Sequence, residues 1–288
     1  MNNSVGYRQL LKDKNRIVVK IGSSSLIHKE TGEIDFLKVE KLVRILSDLK
    51  NQGKDVVLVS SGSITVGVKA LGLKKRPELL PMKQACAALG QGQLMMIYQK
   101  LFLEYNHLSA QVLLTFDVIT STERRINAEN TLKQLLDLDI IPVVNENDTV
   151  ATDEIDFGDN DTLSAIVSTL INADLLILIT DIDGFYTDDP RTNPDAVRLS
   201  VIEKIDSNLK SMAKGSGSNY GTGGMATKIS AARIVTKAGT DMVIIDSSDL
   251  LNIPRLMEGE DIGTLFLSNP NSDIDITDYI VNKKYMNR

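Results

Sequence analysis

Arg16-Ile17-Val18-Val19-Lys20-Ile21-Gly22-Ser23-Ser24-Ser25 holds four β-branched apolar residues and one lysine, followed at once by a glycine and three serines. A short run that is apolar at both odd and even positions reads as a strand buried on both faces, as in a parallel sheet with helices above and below. The same pattern returns at Asp55 to Ser60, Ala110 to Leu114, Ile140 to Asn145, Leu175 to Thr180 and Asp241 to Asp246. Between these runs the spacing turns helical. Phe36, Val39, Leu42, Val43, Leu46 and Leu49 mark one face, and Gly53 stands where a helix C-terminal cap belongs. Strands alternating with helices predict an α/β fold, a three-layer αβα sandwich around a mainly parallel sheet.

One helical stretch is unusual. Pro81 to Tyr105 carries Leu89, Leu94, Met95, Met96, Ile97 and Leu101, more apolar surface than one face requires, so it reads either as core or as a buried subunit interface. Gly215 to Gly224, with five glycines and two serines in ten residues, is expected to be a mobile loop.

Composition removes several functions. The formal net charge is -6 over 288 residues, with a pI near 5.1, so there is no overall positive field for a nucleic acid. Cys86 is the only cysteine, which rules out an intramolecular disulfide and fits a reducing compartment. The only histidines, His28 and His107, are far apart, so a histidine-rich metal site is not expected. Residues 1–16 lack the apolar core of a secretory signal, and no apolar run approaches the ~18 residues of a membrane span. The expected location is cytoplasmic.

Ligands of open parallel sheets bind beyond the carboxyl ends of the strands, where loops and helix N-termini converge. Four runs end there in functional residue types: Lys20-Ile21-Gly22-Ser23-Ser24, Ser60-Ser61-Gly62-Ser63, Asn145-Glu146-Asn147-Asp148 and Thr180-Asp181-Ile182-Asp183-Gly184. Each small-residue turn also reads as a tight turn with a helix cap, but two on one edge offer backbone N–H groups to an anion. Lys20 reads either as an edge lysine or, on a central strand, as an ammonium pointing into the ligand crevice. A second lysine, Lys228, follows Tyr220-Gly221-Thr222-Gly223-Gly224-Met225-Ala226-Thr227, a glycine-rich loop opening a helix. Neither the G-x-x-x-x-G-K-[ST] phosphate loop nor a G-x-G-x-x-G dinucleotide fingerprint is present. Gly158-Asp159-Asn160-Asp161 sets carboxylates and an amide at the start of an apolar helix, more than one cap explains.

In this order along the chain, these motifs resemble the amino acid kinase family, from about Arg16 to Ser268. The resemblance implies an ATP- and magnesium-dependent enzyme that phosphorylates the side-chain carboxylate of L-glutamate to L-glutamate 5-phosphate, the first step of proline biosynthesis. It implies that Lys20 and Lys228 contact the phosphates while Asp161 positions their ammonium groups. Ser60, Gly62, Asn145, Asp148 and Asn160 would surround the glutamate. Lys20, Thr180, Asp181, Thr222, Gly223, Gly224, Met225, Ala226, Thr227 and Lys228 would hold the nucleotide, with magnesium carried mainly on the ATP phosphates. The implied organisation is a kinase domain over residues 1–268, its substrate side at about 1–172 and its nucleotide side at about 173–268. A polar tail over 269–288 follows, without the C-terminal PUA domain that many members carry. The family also implies a homo-oligomer, dimer or tetramer, feedback inhibition by proline, and coupling to a glutamate-5-phosphate reductase.

The chemistry agrees with the residues. A carboxylate nucleophile with a free pKa of about 4.3 is already ionised, so no general base is required. The task is to bring two anions together and stabilise charge on the transferred group. Two lysines suit that better than they suit hydrolysis. A sister kinase acting on N-acetylglutamate or aspartate, and a catalytically silent amino-acid or nucleotide sensor, are the alternatives.

Overall fold

The computed structural model describes residues 3–115, 117–150, 160–188, 190, 192–206, 209 and 224–270. The run read first, β1 (Arg16–Ile21), is central in an eight-stranded sheet, between β2 (Asp55–Ser60) and β5 (Leu175–Thr180), parallel to both. Beyond β2 come β4 (Ile141–Glu146) and then β3 (Ser109–Leu114) at one edge. Beyond β5 come β9 (Asp241–Asp246), β10 (Thr264–Phe266) and β8 (Val201–Ile202) at the other. A separate ribbon pairs β6 (Phe185–Tyr186) with β7 (Arg198–Leu199). All six expected strands form, with ends displaced by one residue in three of them.

Departures lie on the far edge, where β10 runs antiparallel to β9, and in the separate ribbon: none of β6, β7, β8 or β10 was expected. These strands have two or three residues each, too short for a periodic signal. The reversal into β10 depends on Gly263 at φ +66, where a Cβ would lie 2.0 Å from the Ile244 carbonyl oxygen. Only glycine fits there.

Helices cover both faces, as the three-layer reading requires. On one side α6 (Thr122–Asp137), α7 (Asn160–Leu170) and α8 (Met225–Lys237) pack Leu132, Leu163, Val167, Ala231 and Val235 against Val18, Val57 and Leu176. On the other, α2 (Phe36–Asn51), α4 (Leu80–Glu104) and α9 (Asn252–Met257) pack Leu42, Leu46, Leu94, Phe102 and Ile253 against Ile17, Val19, Ile21 and Leu58. The side chain of Asp35 caps α2 by accepting from the Lys38 N–H at 3.0 Å, and Gly53 follows its end at φ +82. Among the described residues no helix is long and apolar enough to cross a membrane.

The short helix α3 (Ser63–Ala70) lies against α4 with its backbone in contact. A Cβ at Gly67 would sit 1.8 Å from the Cys86 carbonyl oxygen, and one at Gly90 would sit 1.8 Å from that of Ser63. The two glycines thus fix how deep α3 seats, and with it the position of Ser63 at the strand ends.

Candidate active site

Strand periodicity aims Lys20. Successive side chains of β1 alternate between faces, so Lys20 shares a face with Val18, the face covered by α7 and α8. There its Nζ donates to Asp161 Oδ1 at 2.5 Å, and Lys228 Nζ, from the first turn of α8, donates to Asp161 Oδ2 at 3.1 Å. All three side chains are buried, Asp161 completely. Burial pushes the Asp161 carboxyl up, but the charges of Lys20 and Lys228 and their hydrogen bonds outweigh it and hold the group below the usual carboxylate range. Its place in the first turn of α7 adds a favourable helix dipole. The result is a fixed cluster at the end of the central strand in which, among the described residues, two ammonium groups share one carboxylate. Because each oxygen of Asp161 accepts from a lysine, the donor set suits an anion rather than a metal cage.

A second group of side chains lies across the neighbouring strand ends. Asn160 Nδ2 donates to Ser61 Oγ at 2.6 Å, to Asn145 Oδ1 at 2.9 Å and to the Ser60 carbonyl at 3.3 Å. Buried Ser60 pairs its hydroxyl with that of Tyr98 on α4 at 2.8 Å. Gly62, at φ +112, turns the chain from β2 into α3, a conformation costly for any side chain. Ser63, the first residue of α3, donates to Asp148 Oδ2 at 2.6 Å. Burial raises the Asp148 carboxyl above its ordinary value, the Ser63 hydroxyl and Arg76 opposing it only in part. A carboxyl in that condition gains most from a cationic partner.

On the other side of Lys20, β5 ends at Thr180, whose hydroxyl donates to Asp181 Oδ1 at 3.0 Å while its carbonyl accepts from the Ser247 N–H at 2.7 Å. Gly224 leads into α8 at Met225, and its carbonyl accepts from the Thr227 hydroxyl at 2.6 Å and from the Thr227 and Lys228 N–H groups. Met225 and Ala226 therefore begin a helix whose first N–H groups have no intrahelical acceptor. Thr227 also approaches Asp161 Oδ2, at 3.3 Å. Lys20, Asp161, Thr227 and Lys228 thus meet in one cluster, and Ser60 and Asn145 at the ends of the adjoining strands stand with Asn160 at the start of α7 and the Ser63–Asp148 pair. Thr222 and Gly223, with Gly158, Asp159 and residues 215–221, lie outside the described residues.

Gln91 and Tyr98 carry no expectation from the sequence, and Ser61 and Ser63 enter there only as members of the Ser60–Ser63 turn, yet these four hold Asn145, Ser60, Asn160 and Asp148 respectively. Gln91 left one trace, a polar residue between two glycines.

The sequence model of the Amino acid kinase family matches residues 15–246. A glutamate 5-kinase of Clostridium perfringens is 52% identical over 265 residues, 91% of this chain and 98% of that protein. A glutamate 5-kinase of Carboxydothermus hydrogenoformans is 52% identical over 259 residues, 90% of this chain and 69% of that protein. Among solved structures, carbamate kinase from Giardia lamblia bound to AMP-PNP superposes with a TM-score of 0.63 at 18% identity, over 90% of this chain and 100% of that one. The family model over residues 15–246 and the 52% identity to glutamate 5-kinases, on a fold that a solved kinase structure shares, lead to one conclusion: the chain belongs to the amino acid kinase family.

Proposed function

We propose that the chain transfers the γ-phosphoryl group of ATP to the side-chain carboxylate of L-glutamate, forming an acyl phosphate. The glutamate 5-kinases at 52% identity support the substrate. The Lys20–Asp161–Lys228 cluster carries the chemistry, because it sets two ammonium groups on one buried carboxylate between the two subsites.

Glutamate enters with its ammonium toward Asp148 and its chain along Asn145, Asn160 and the Gly62 turn. ATP lies over Thr180 and Asp181, its phosphates on the N-terminus of α8. Magnesium, carried on those phosphates, would neutralise part of their charge. Lys20 and Lys228 then screen the repulsion between carboxylate and polyphosphate and stabilise charge on the transferred group. Asp161 keeps both ammonium groups in place before substrate arrives, so little reorganisation remains for the reaction itself. No proton has to be removed from the nucleophile.

Asp148 favours free glutamate over N-acetylglutamate. Acetylation removes the cation that would stabilise its ionised form, and a buried unpaired charge costs several kcal/mol. Aspartate, one methylene shorter, falls short of in-line attack when its α-groups are anchored. A silent sensor would not need both buried lysines. The test is turnover with ATP and magnesium, trapping the acyl phosphate with hydroxylamine: L-glutamate should react and N-acetylglutamate and aspartate poorly. Turnover of N-acetylglutamate alone would overturn the substrate.

We also infer a homo-oligomer. Met82, Leu89, Met96 and Leu103 recur every seven residues along α4 and are 44%, 39%, 62% and 61% exposed. Gly92, where an added Cβ would meet nothing within 4 Å, lies midway along that stripe. A seven-residue apolar repeat is a helix-pairing seam, and an antiparallel second copy about Gly92 would set Met82 against Leu103 and Leu89 against Met96, as a twofold interface requires. The acyl phosphate product calls for a hydride-transferring reductase as the next enzyme.

A further inference from the structure

Four side-chain amides form one chain that runs from the glutamate subsite to the outer strand. Asn160 Nδ2 donates to Asn145 Oδ1 at 2.9 Å, Asn145 Nδ2 donates to Gln91 Oε1 at 2.9 Å, and Gln91 Nε2 reaches Gln111 Oε1 at 3.5 Å. Asn145 and Gln91 are 2% and 6% exposed, so neither can exchange these partners for bulk water. Asn145 Oδ1 also accepts the Glu146 backbone N–H at 2.9 Å. With its oxygen occupied on one side, the amide must present its nitrogen on the other, and Gln91 Oε1 is the acceptor placed there.

We propose that Gln91 is a positioning residue for glutamate recognition, locking the amide orientation of Asn145 and, through it, that of Asn160. It rests on the assignment of the glutamate subsite made above. Gln91 itself is rigidly placed: its neighbour Gly90 packs against the Ser63 carbonyl, so α4 cannot shift without moving the start of α3 and the Ser63–Asp148 pair. Taking away its oxygen strands a buried N–H of Asn145. That amide then turns toward another acceptor, and Asn160 loses the oxygen it donates to. The reaction centre, Lys20–Asp161–Lys228, shares no hydrogen bond with Gln91.

Two variants separate positioning from mere stability. Gln91→Leu keeps the approximate volume and removes the acceptor; Gln91→Glu keeps an oxygen facing Asn145. Loss of one buried hydrogen bond of this kind corresponds to about a 5- to 100-fold change in affinity. Gln91→Leu should raise the KM for glutamate by about that factor, with the KM for ATP and kcat close to wild type, and Gln91→Glu should restore the glutamate KM to within a few-fold of wild type. An unchanged glutamate KM in Gln91→Leu would overturn the proposal. So would equal loss of glutamate KM, ATP KM and kcat together with thermal stability, or an equal rise in glutamate KM in both variants. Wild-type protein that turns over glutamate normally in the same assay keeps these outcomes distinct from failure of the substrate assignment.

Discussion

Replacing Asp161 by Asn removes the one negative charge that the buried ammonium groups of Lys20 and Lys228 share. In the folded chain the carboxylate lies 2.5 Å from Lys20 and 3.1 Å from Lys228, with all three side chains sealed from solvent. Breaking a buried ion pair by deleting one partner costs about 3–5 kcal/mol, because the surviving charge keeps its desolvation cost without its attraction. At about 2–4 °C per kcal/mol for a domain of this size, Tm should fall by ~6–20 °C. The pH dependence has a definite sign. The folded-state pKa of Asp161 is depressed, so its stabilisation is fully present above the unfolded carboxylate value of about 3.9 and is lost as pH falls through the folded value. The gap in Tm between wild type and variant should therefore be constant from mild acidity upward and narrow only in strong acid. ATP phosphates would supply negative charge in place of the lost carboxylate, so magnesium-ATP should raise the Tm of the variant more than that of wild type. Differential scanning fluorimetry with and without nucleotide measures both. A Tm within 2 °C of wild type, or equal nucleotide-induced rises in the two proteins, would refute the electrostatic role assigned to Asp161.

Lys20→Ala and Lys228→Ala should each lower kcat by about 10²–10³, with much smaller effects on glutamate affinity, since a preorganised donor acts on charge that develops during transfer; near-normal steady-state turnover by either folded variant would remove that lysine from the reaction. Asp148, whose carboxyl burial raises, must be ionised to pair with an ammonium, so the KM for glutamate should climb as pH falls toward that raised value while the KM for ATP stays flat. In Asp148→Asn the slope should vanish and the glutamate KM be high at every pH; a slope that persists would assign it to another group. Met96→Glu, on the exposed stripe of α4, should shift the protein to a smaller species in sedimentation, and an unchanged sedimentation coefficient would place the subunit contact elsewhere.

How far the sequence alone reaches depends on whether the deciding interaction is local. β1 is legible because Ile17, Val18, Val19 and Ile21 must be buried on both faces, and only a central parallel strand with helices above and below does that. The direction of Lys20 follows from the same alternation, since it shares the face of Val18. Its partner is a matter of charge balance: a buried ammonium at a strand end needs a carboxylate, and Asp161 at a helix start is well suited to supply one. Gln91 lies beyond such reasoning. Within Pro81 to Tyr105 the apolar residues point in every direction around the helix, so nothing in the periodicity says which side is core, which is the exposed stripe of Met82, Leu89, Met96 and Leu103, and which faces Asn145. That is settled by two glycines, Gly67 and Gly90, which let α3 and α4 touch backbone to backbone and so fix the rotation of α4 about its axis. The function of a single polar residue on α4 is thus decided by small residues, one on another helix, through a contact that exists only after the sheet has brought both helices to it.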